Sequence, residues 1–245
     1  MANAPEAVKD RPFAGSGFCK VAIADFDSAI TTRLDTEECE MSDQFVWLEV
    51  ETKYRETRMT RHGEELRWLV NREKILNKAT GGIAARGTVR HPGVCVIAPF
   101  VDDDHIALMR QYRYAADGEL WELPAGTLNG REENQRMTGA ETPEECAARE
   151  LSEETGYEAE VLEKVCECYA MPGIGDEIIH VFFARGLKRR EQSLDDDEII
   201  IEIRAFSAEE LGGMIERGEI RDAKTLVGLF YALSQRPGGL RIGRR

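Results

Sequence analysis

The run TPEECAARELSEETG at residues 142–156 carries both of its own boundaries. Thr142 can cap a helix, Pro143 suits its first turn, and Glu145 completes a T-x-x-E capping box. Gly156 supplies the residue that stops it. A helix is thereby fixed in the middle of a chain that otherwise reads mainly as strands. VCVIAPFV (94–101) is a short apolar run expected to form a buried strand, DDD a turn, and HIALMRQYRY (105–114) a second strand. Asp117-Gly118 marks a turn before ELWELPAG, read as one further strand ending in a glycine loop. EAEVLEKVCECYAM, EIIHVFFARGL and DDDEIIIEIRAFS follow as strands, and AEELGGMIERG and DAKTLVGLFYALSQ close the chain as helices. Strands mixed with helices in this order predict an α/β (α+β) sandwich built on a mixed sheet.

Ahead of that lies a smaller β-rich region. QFVWLEVETKY (44–54) alternates as a half-buried strand does, ELRWLVNREKIL (65–76) fits strand or helix, and TGGIAARG (80–87) reads as a turn. His91-Pro92-Gly93 is the expected boundary. The resulting division is 1–44 as an extension of unknown role, 45–90 as the β-rich region, 91–235 as the main domain, and 236–245 as a basic tail.

Composition narrows the function. With 245 residues and 42% hydrophobic content the chain can bury a substantial core. Its net charge of −14 argues against a nucleic-acid surface, which needs positive potential. Small anionic ligands remain compatible, because an arginine or a bound metal can invert the field inside a cleft. The start, MANAPEAVKD, lacks an export pattern, and the longest apolar run is too short to span a bilayer, so no membrane partner is expected. Cys19, Cys39, Cys95, Cys146, Cys166 and Cys168 show neither a CxxC pair nor zinc spacing. Reduced thiols and a cytoplasmic location are the expectation.

The central helix poses the chemical question. Glu150, Glu153 and Glu154 stand at i, i+3 and i+4, so they share one face and repel each other. Either solvent screens a plain acidic surface, or the three carboxylates converge on a hard divalent cation, for which oxygen donors are the preferred ligands. Arg149 is expected to point away from the cluster, toward Glu145 or Glu141.

Context favours the second reading. Glu141, seven residues, then Arg149-Glu150-Leu151-Ser152-Glu153-Glu154-Thr155-Gly156 resembles the second half of the Nudix hydrolase signature, with Tyr157 where an aliphatic residue is usual. The first half departs from it. Fourteen residues (127–140) separate Gly126 from Glu141 where the family pattern has five. The nine-residue lengthening falls in NGREENQRMTG, which is polar, opens on Asn-Gly, and is expected to bulge as a surface loop.

HPGV, RQYRY, WELPAGT, PGIGDE and GEIRDAKTL add a resemblance to the ADP-ribose or ADP-sugar pyrophosphatases of that family, over roughly residues 90–235. The resemblance implies a Nudix α/β/α sandwich and Mg²⁺, with Mn²⁺ as a possible substitute. Its metal ligands would be Glu150, Glu153, Glu154 and the Ala125 carbonyl, with Glu153 also able to hold water. Arg113 would grip the pyrophosphate, and Glu122 and Glu177 would lie against substrate. The catalytic base would come from the acidic loop, as Glu198 or else Asp197. Hydrolysis of ADP-ribose to AMP and ribose 5-phosphate is the implied activity, with GDP-mannose or ADP-glucose as rival substrates. A non-catalytic ADP-ribose sensor is the reading from another class. Members of this subgroup are commonly homodimers joined through early strands. Trp47 and Trp68 would then stack on adenine, or else serve as core or interface residues.

Overall fold

A computed structural model describes residues 31–32, 44–60, 63–190 and 200–235. Its first unit is an antiparallel sheet of β1 (Thr31–Thr32), β2 (Phe45–Thr60), β3 (Gly63–Asn77) and β4 (Ile83–Arg90), paired in that order. The segment 65–76, ambiguous in sequence, is strand because β2 and β4 flank it on both edges. The expected turn through residue 87 is shorter than its glycines suggest. Asn77 Oδ1 accepts the N–H groups of Ala79 and Thr80 at 2.9 and 3.2 Å, and pairing with β3 begins at Ile83. Gly87 pairs with Arg72; a waiting sheet edge overrides the weak strand preference of this run.

The remaining elements are β5 (Val94–Pro99), β6 (His105–Arg113), β7 (Gly118–Glu122), β8 (Ala125–Thr127), β9 (Gly130–Glu133), β10 (Arg136–Gly139), α1 (Pro143–Thr155), β11 (Tyr157–Glu158), β12 (Val161–Tyr169), β13 (Ile178–Arg185), β14 (Lys188–Arg189), β15 (Ile200–Ser207), α2 (Ala208–Glu216) and α3 (Ala223–Ser234). One sheet runs β12-β13-β5-β8, with β13 and β5 parallel; a second runs β15-β6-β7, antiparallel throughout.

Every residue of β5 is buried because both of its faces are covered. Cys95 and Ile97 pack with Phe182, Ala184 and the Cys146, Ala147 and Leu151 face of α1. Val94, Val96 and Ala98 join Val181, Phe183, Ile106 and Leu108 with residues of α2 and α3, including Leu211 and Leu229. Helices therefore lie on opposite sides of a mixed sheet core, the sandwich expected from sequence. Among the described residues no helix is long and apolar enough to cross a membrane.

ELWELPAG is not one strand. Glu122 ends β7 in the second sheet and Ala125 begins β8 in the first. Between them Pro124 has no N–H for a ladder, and its carbonyl accepts from Ile97 at 2.9 Å. The crossing places residues 123–126 at the seam of the two sheets.

The lengthened segment is not a bulging loop either. It folds as the hairpin β9-β10, whose turn is Asn134-Gln135 rather than Asn129-Gly130. Both turn residues have positive φ, 50° and 59°, as a type I′ hairpin requires. The hairpin docks on the N-terminal sheet: Asn71 Nδ2 donates to Gln135 O at 2.8 Å, and Arg55 meets Glu132 through Nε and Nη2 at 2.9 and 3.0 Å. Arg136 covers one face of Trp47 at 4.3 Å. Gln135 holds a left-handed backbone with its side-chain Oε1 buried and unpartnered. Gln135→Gly should therefore raise stability by about 1 kcal/mol, the usual left-handed penalty of an L-residue, read as a higher midpoint in urea; a lower midpoint contradicts this account of the turn.

Candidate active site

Helix α1 delivers the acidic face to the seam. Its capping box forms as expected, with Thr142 Oγ1 accepting from Glu145 N and Glu145 accepting from Thr142 N, and Gly156 ends it at φ 68°. Leu151, Ala147 and Cys146 hold one side of the helix in the core, which turns Glu150 and Glu154 inward. These two are 6% and 1% exposed, far below what carboxylates reach when they merely face solvent.

What receives them is the 123–126 crossing. Glu154 Oε2 accepts the Ala125 N–H at 2.8 Å. The Glu150 carboxylate lies so close to the backbone of Gly126 that a Cβ there would sit 1.8 Å from Glu150 Cδ. No side chain fits in that space, which gives the glycine its physical role. The lengthening after Gly126 has not displaced it from the helix.

The repulsion between the carboxylates is met inside the protein by Arg149, which does not point away from the cluster. Its Nη1 donates to Glu150 Oε1 at 2.6 Å and Glu153 Oε2 at 3.1 Å, and its Nη2 reaches Glu141 Oε1 at 2.7 Å. Glu145 is engaged by Thr142 instead. Burial would lower the Arg149 pKa, but the Glu141 hydrogen bond and the Glu150 charge outweigh it and hold the guanidinium above its ordinary value. Glu141 also accepts the Asn129 N–H at 2.8 Å, so it anchors the end of the hairpin to the helix.

Arg113 and Glu122 come together. Glu122, 1% exposed, takes Nε and Nη2 of Arg113 at 3.0 and 2.6 Å in a bidentate pair. Burial works to lower the Arg113 pKa, and Glu122, with Glu154 and Asp222 nearby, raises it on balance. Glu177 is half-buried; burial pushes its carboxyl up, Lys224 pulls it down and Asp222 adds to the rise. Glu198 and Asp197 lie outside the described residues. Trp47 donates from Nε1 to Glu73 at 3.3 Å, and Trp68 packs against Tyr54 with ring centroids 5.5 Å apart.

Three residues at the site carried no expected role: Asp222, Lys224 and Thr225. Asp222 caps α3, accepting from Thr225 N at 2.9 Å and pairing with Lys224 at 2.8 Å. Burial alone would raise its pKa; Lys224 and Thr225 hold it below the usual range. Thr225, fully buried, accepts the Leu123 N–H at 2.9 Å and so fixes the crossing from behind. An Asp three residues before a Thr and an apolar run is a cap signal visible in sequence, but it does not reveal what the threonine faces.

Glu150, Glu153 and Glu154 offer hard oxygen donors in one place, against a backbone left bare by Gly126, which is the chemistry a divalent cation selects. Among the described residues no three ligating side chains are already gathered at cation-binding spacing; here Glu150 and Glu153 accept from Arg149 and Glu154 from the Ala125 N–H. Gly126→Ala should push Glu150 out of its place and weaken Mn²⁺ binding ~10-fold or more, as losses of ligand support usually do. Titration calorimetry with the helical circular dichroism unchanged checks this, and undiminished binding contradicts it.

A family model for the NUDIX domain matches residues 89–228, more than half of the chain. The ADP-ribose pyrophosphatase of Bacillus subtilis (strain 168) is 37% identical over 153 residues, covering 62% of this chain and 77% of that protein. The methanol dehydrogenase activator of Bacillus methanolicus is 35% identical with the same coverage. The GDP-mannose pyrophosphatase of Yersinia enterocolitica serotype O:8 is 35% identical over 136 residues, 52% of this chain and 65% of that protein. The crystal structure of an ADP compounds hydrolase superposes with a TM-score of 0.61 over 78% of this chain and 93% of its own, at 21% identity, a likeness of fold.

Proposed function

The chain belongs to the Nudix family, as a hydrolase of the nucleoside-diphosphate-sugar kind, and on that footing we propose that it cleaves the pyrophosphate of ADP-ribose or a related ADP-sugar. The observation that carries this reading is the fit of Glu150 and Glu154 against the bare backbone of Ala125 and Gly126. ADP-ribose is preferred to GDP-mannose because the Bacillus subtilis relative is matched over 77% of its length and the Yersinia relative over 65%.

Glu150, Glu153 and Glu154, with the Ala125 carbonyl, would hold Mg²⁺ or Mn²⁺. A divalent cation bound there supplies positive charge against the diphosphate oxygens and acidifies the attacking water. Arg113 grips non-bridging oxygens of the diphosphate, and its pairing with buried Glu122 fixes the guanidinium in advance, so little side-chain freedom is lost on binding. Glu177, made less acidic by burial, lines the sugar side next to Lys224. Water attacks one phosphorus, the bond from that phosphorus to the bridging oxygen breaks, and the water proton passes to a carboxylate base. Glu198 is assigned that base, with Asp197 or Glu153 in reserve. The products are AMP and ribose 5-phosphate. The reading includes a homodimer joined through the β2–β4 region, which light scattering tests directly.

Glu154→Gln should leave the melting temperature nearly unchanged and lower turnover of ADP-ribose by several orders of magnitude. The measurement is AMP release in magnesium from a panel of ADP-ribose, ADP-glucose and GDP-mannose. Preferential release of GMP from GDP-mannose replaces the substrate assignment; near-normal turnover by the variant removes the metal role of Glu154.

A further inference from the structure

The turn between β12 and β13, residues 170–177, ends on Glu177 and is held by something outside its own sheet. It closes on itself through Ala170 N–H to Glu177 O at 3.0 Å and Gly175 N–H to Met171 O at 2.9 Å. It is then stitched to β4, a strand of the N-terminal sheet. Val89 N–H donates to Ile174 O at 2.8 Å and Asp176 N–H donates to Val89 O at 3.2 Å. A Cβ on Gly175 would meet Val89 O at 3.2 Å, so the two backbones are in close contact.

Arg90, the last residue of β4, completes the attachment. It is 8% exposed and bridges two carboxylates: Nη2 and Nε donate to Glu73 Oε1 at 2.6 and 3.1 Å, and Nη1 donates to Asp176 Oδ2 at 2.8 Å. The other Asp176 oxygen accepts the His91 N–H at 2.9 Å. Glu73, 3% exposed, also receives Trp47 Nε1 and Thr88 Oγ1. Arg90 thus stands between a buried acid of the N-terminal sheet and the residue next to Glu177. Adjacent α-carbons are about 3.8 Å apart, so a displacement of Asp176 carries Glu177 with it.

We infer that Arg90 and Asp176 are positioning residues, which hold Glu177 against the sugar end of the substrate by fastening its turn to the N-terminal sheet. The inference rests on the reading of Glu177 as a substrate-facing group. It assigns the N-terminal sheet a part in substrate affinity within one chain, through a guanidinium whose hydrogen bonds go to Glu73 and Asp176. Lysine in place of Arg90 keeps the charge but cannot serve two carboxylates with a planar fork.

The test pairs kinetics with hydrogen–deuterium exchange on wild type, Asp176→Asn and Arg90→Lys. Each variant should exchange faster at residues 171–177 while α1 exchanges as before. KM for ADP-ribose should rise about tenfold, the equivalent of one lost charge-assisted hydrogen bond, with kcat within about twofold. Unchanged exchange at 171–177 overturns the inference, as does a fall in kcat at constant KM. Faster exchange throughout α1 overturns it too, since that marks Arg90 as a general fold contact. A wild type that cleaves no nucleotide sugar fails the functional reading, and the substrate half of the inference with it. The exchange of the turn is measured independently of that outcome.

Discussion

Three carboxylates on consecutive turns of a helix, two of them buried, demand countercharge, and Arg149 supplies it to two of them directly. It lies within hydrogen-bond distance of Glu150, Glu153 and Glu141 together. Unpaired, such charges would cost several kcal/mol each to bury; neutralised, they can be brought up against backbone. The same guanidinium reaches Glu141 beyond the helix start, and Glu141 holds Asn129 at the far end of the inserted hairpin. One cation therefore organises the acidic face and the segment that departs from the family spacing.

The other half of the arrangement is backbone. The 123–126 crossing leaves one sheet and enters another, and its N–H groups are claimed by Thr225 from one side and Glu154 from the other. A crossing fixed at two such points presents Ala125 and Gly126 in a defined place relative to α1. Arg113 and Glu122 sit on the strands leading into it, so this ion pair and the α1 carboxylates are carried by sheet and helix.

The helix, its cap and its carboxylate spacing were legible because each depends on residues close in sequence. So was the sandwich, since periodicity and turn signals report which faces are covered. The errors share another origin. TGGIAARG reads as turn because its glycines are local information, whereas the edge of β3 that recruits it is not. ELWELPAG reads as one strand because nothing within it says that two sheets compete for its ends. The Glu141 contact expected of Arg149 forms, but helix spacing alone turns the residue away from the acidic face and does not show that one guanidinium reaches Glu141, Glu150 and Glu153 together. The role of Thr225 and Asp222 is hidden for the same reason: a capping pair is visible in sequence, but the strand crossing behind it is 102 positions away.

The docked hairpin also joins two parts of the molecule that are distant in sequence. Its strands touch β3 through Asn71 and β2 through Arg55, while its base is tied to Glu141 and so to α1. A fragment beginning at residue 91 would keep the hairpin and lose every one of its N-terminal partners. The inserted residues thus form a tie-rod between the early sheet and the acidic helix, with one end on β2 and β3 and the other on Glu141.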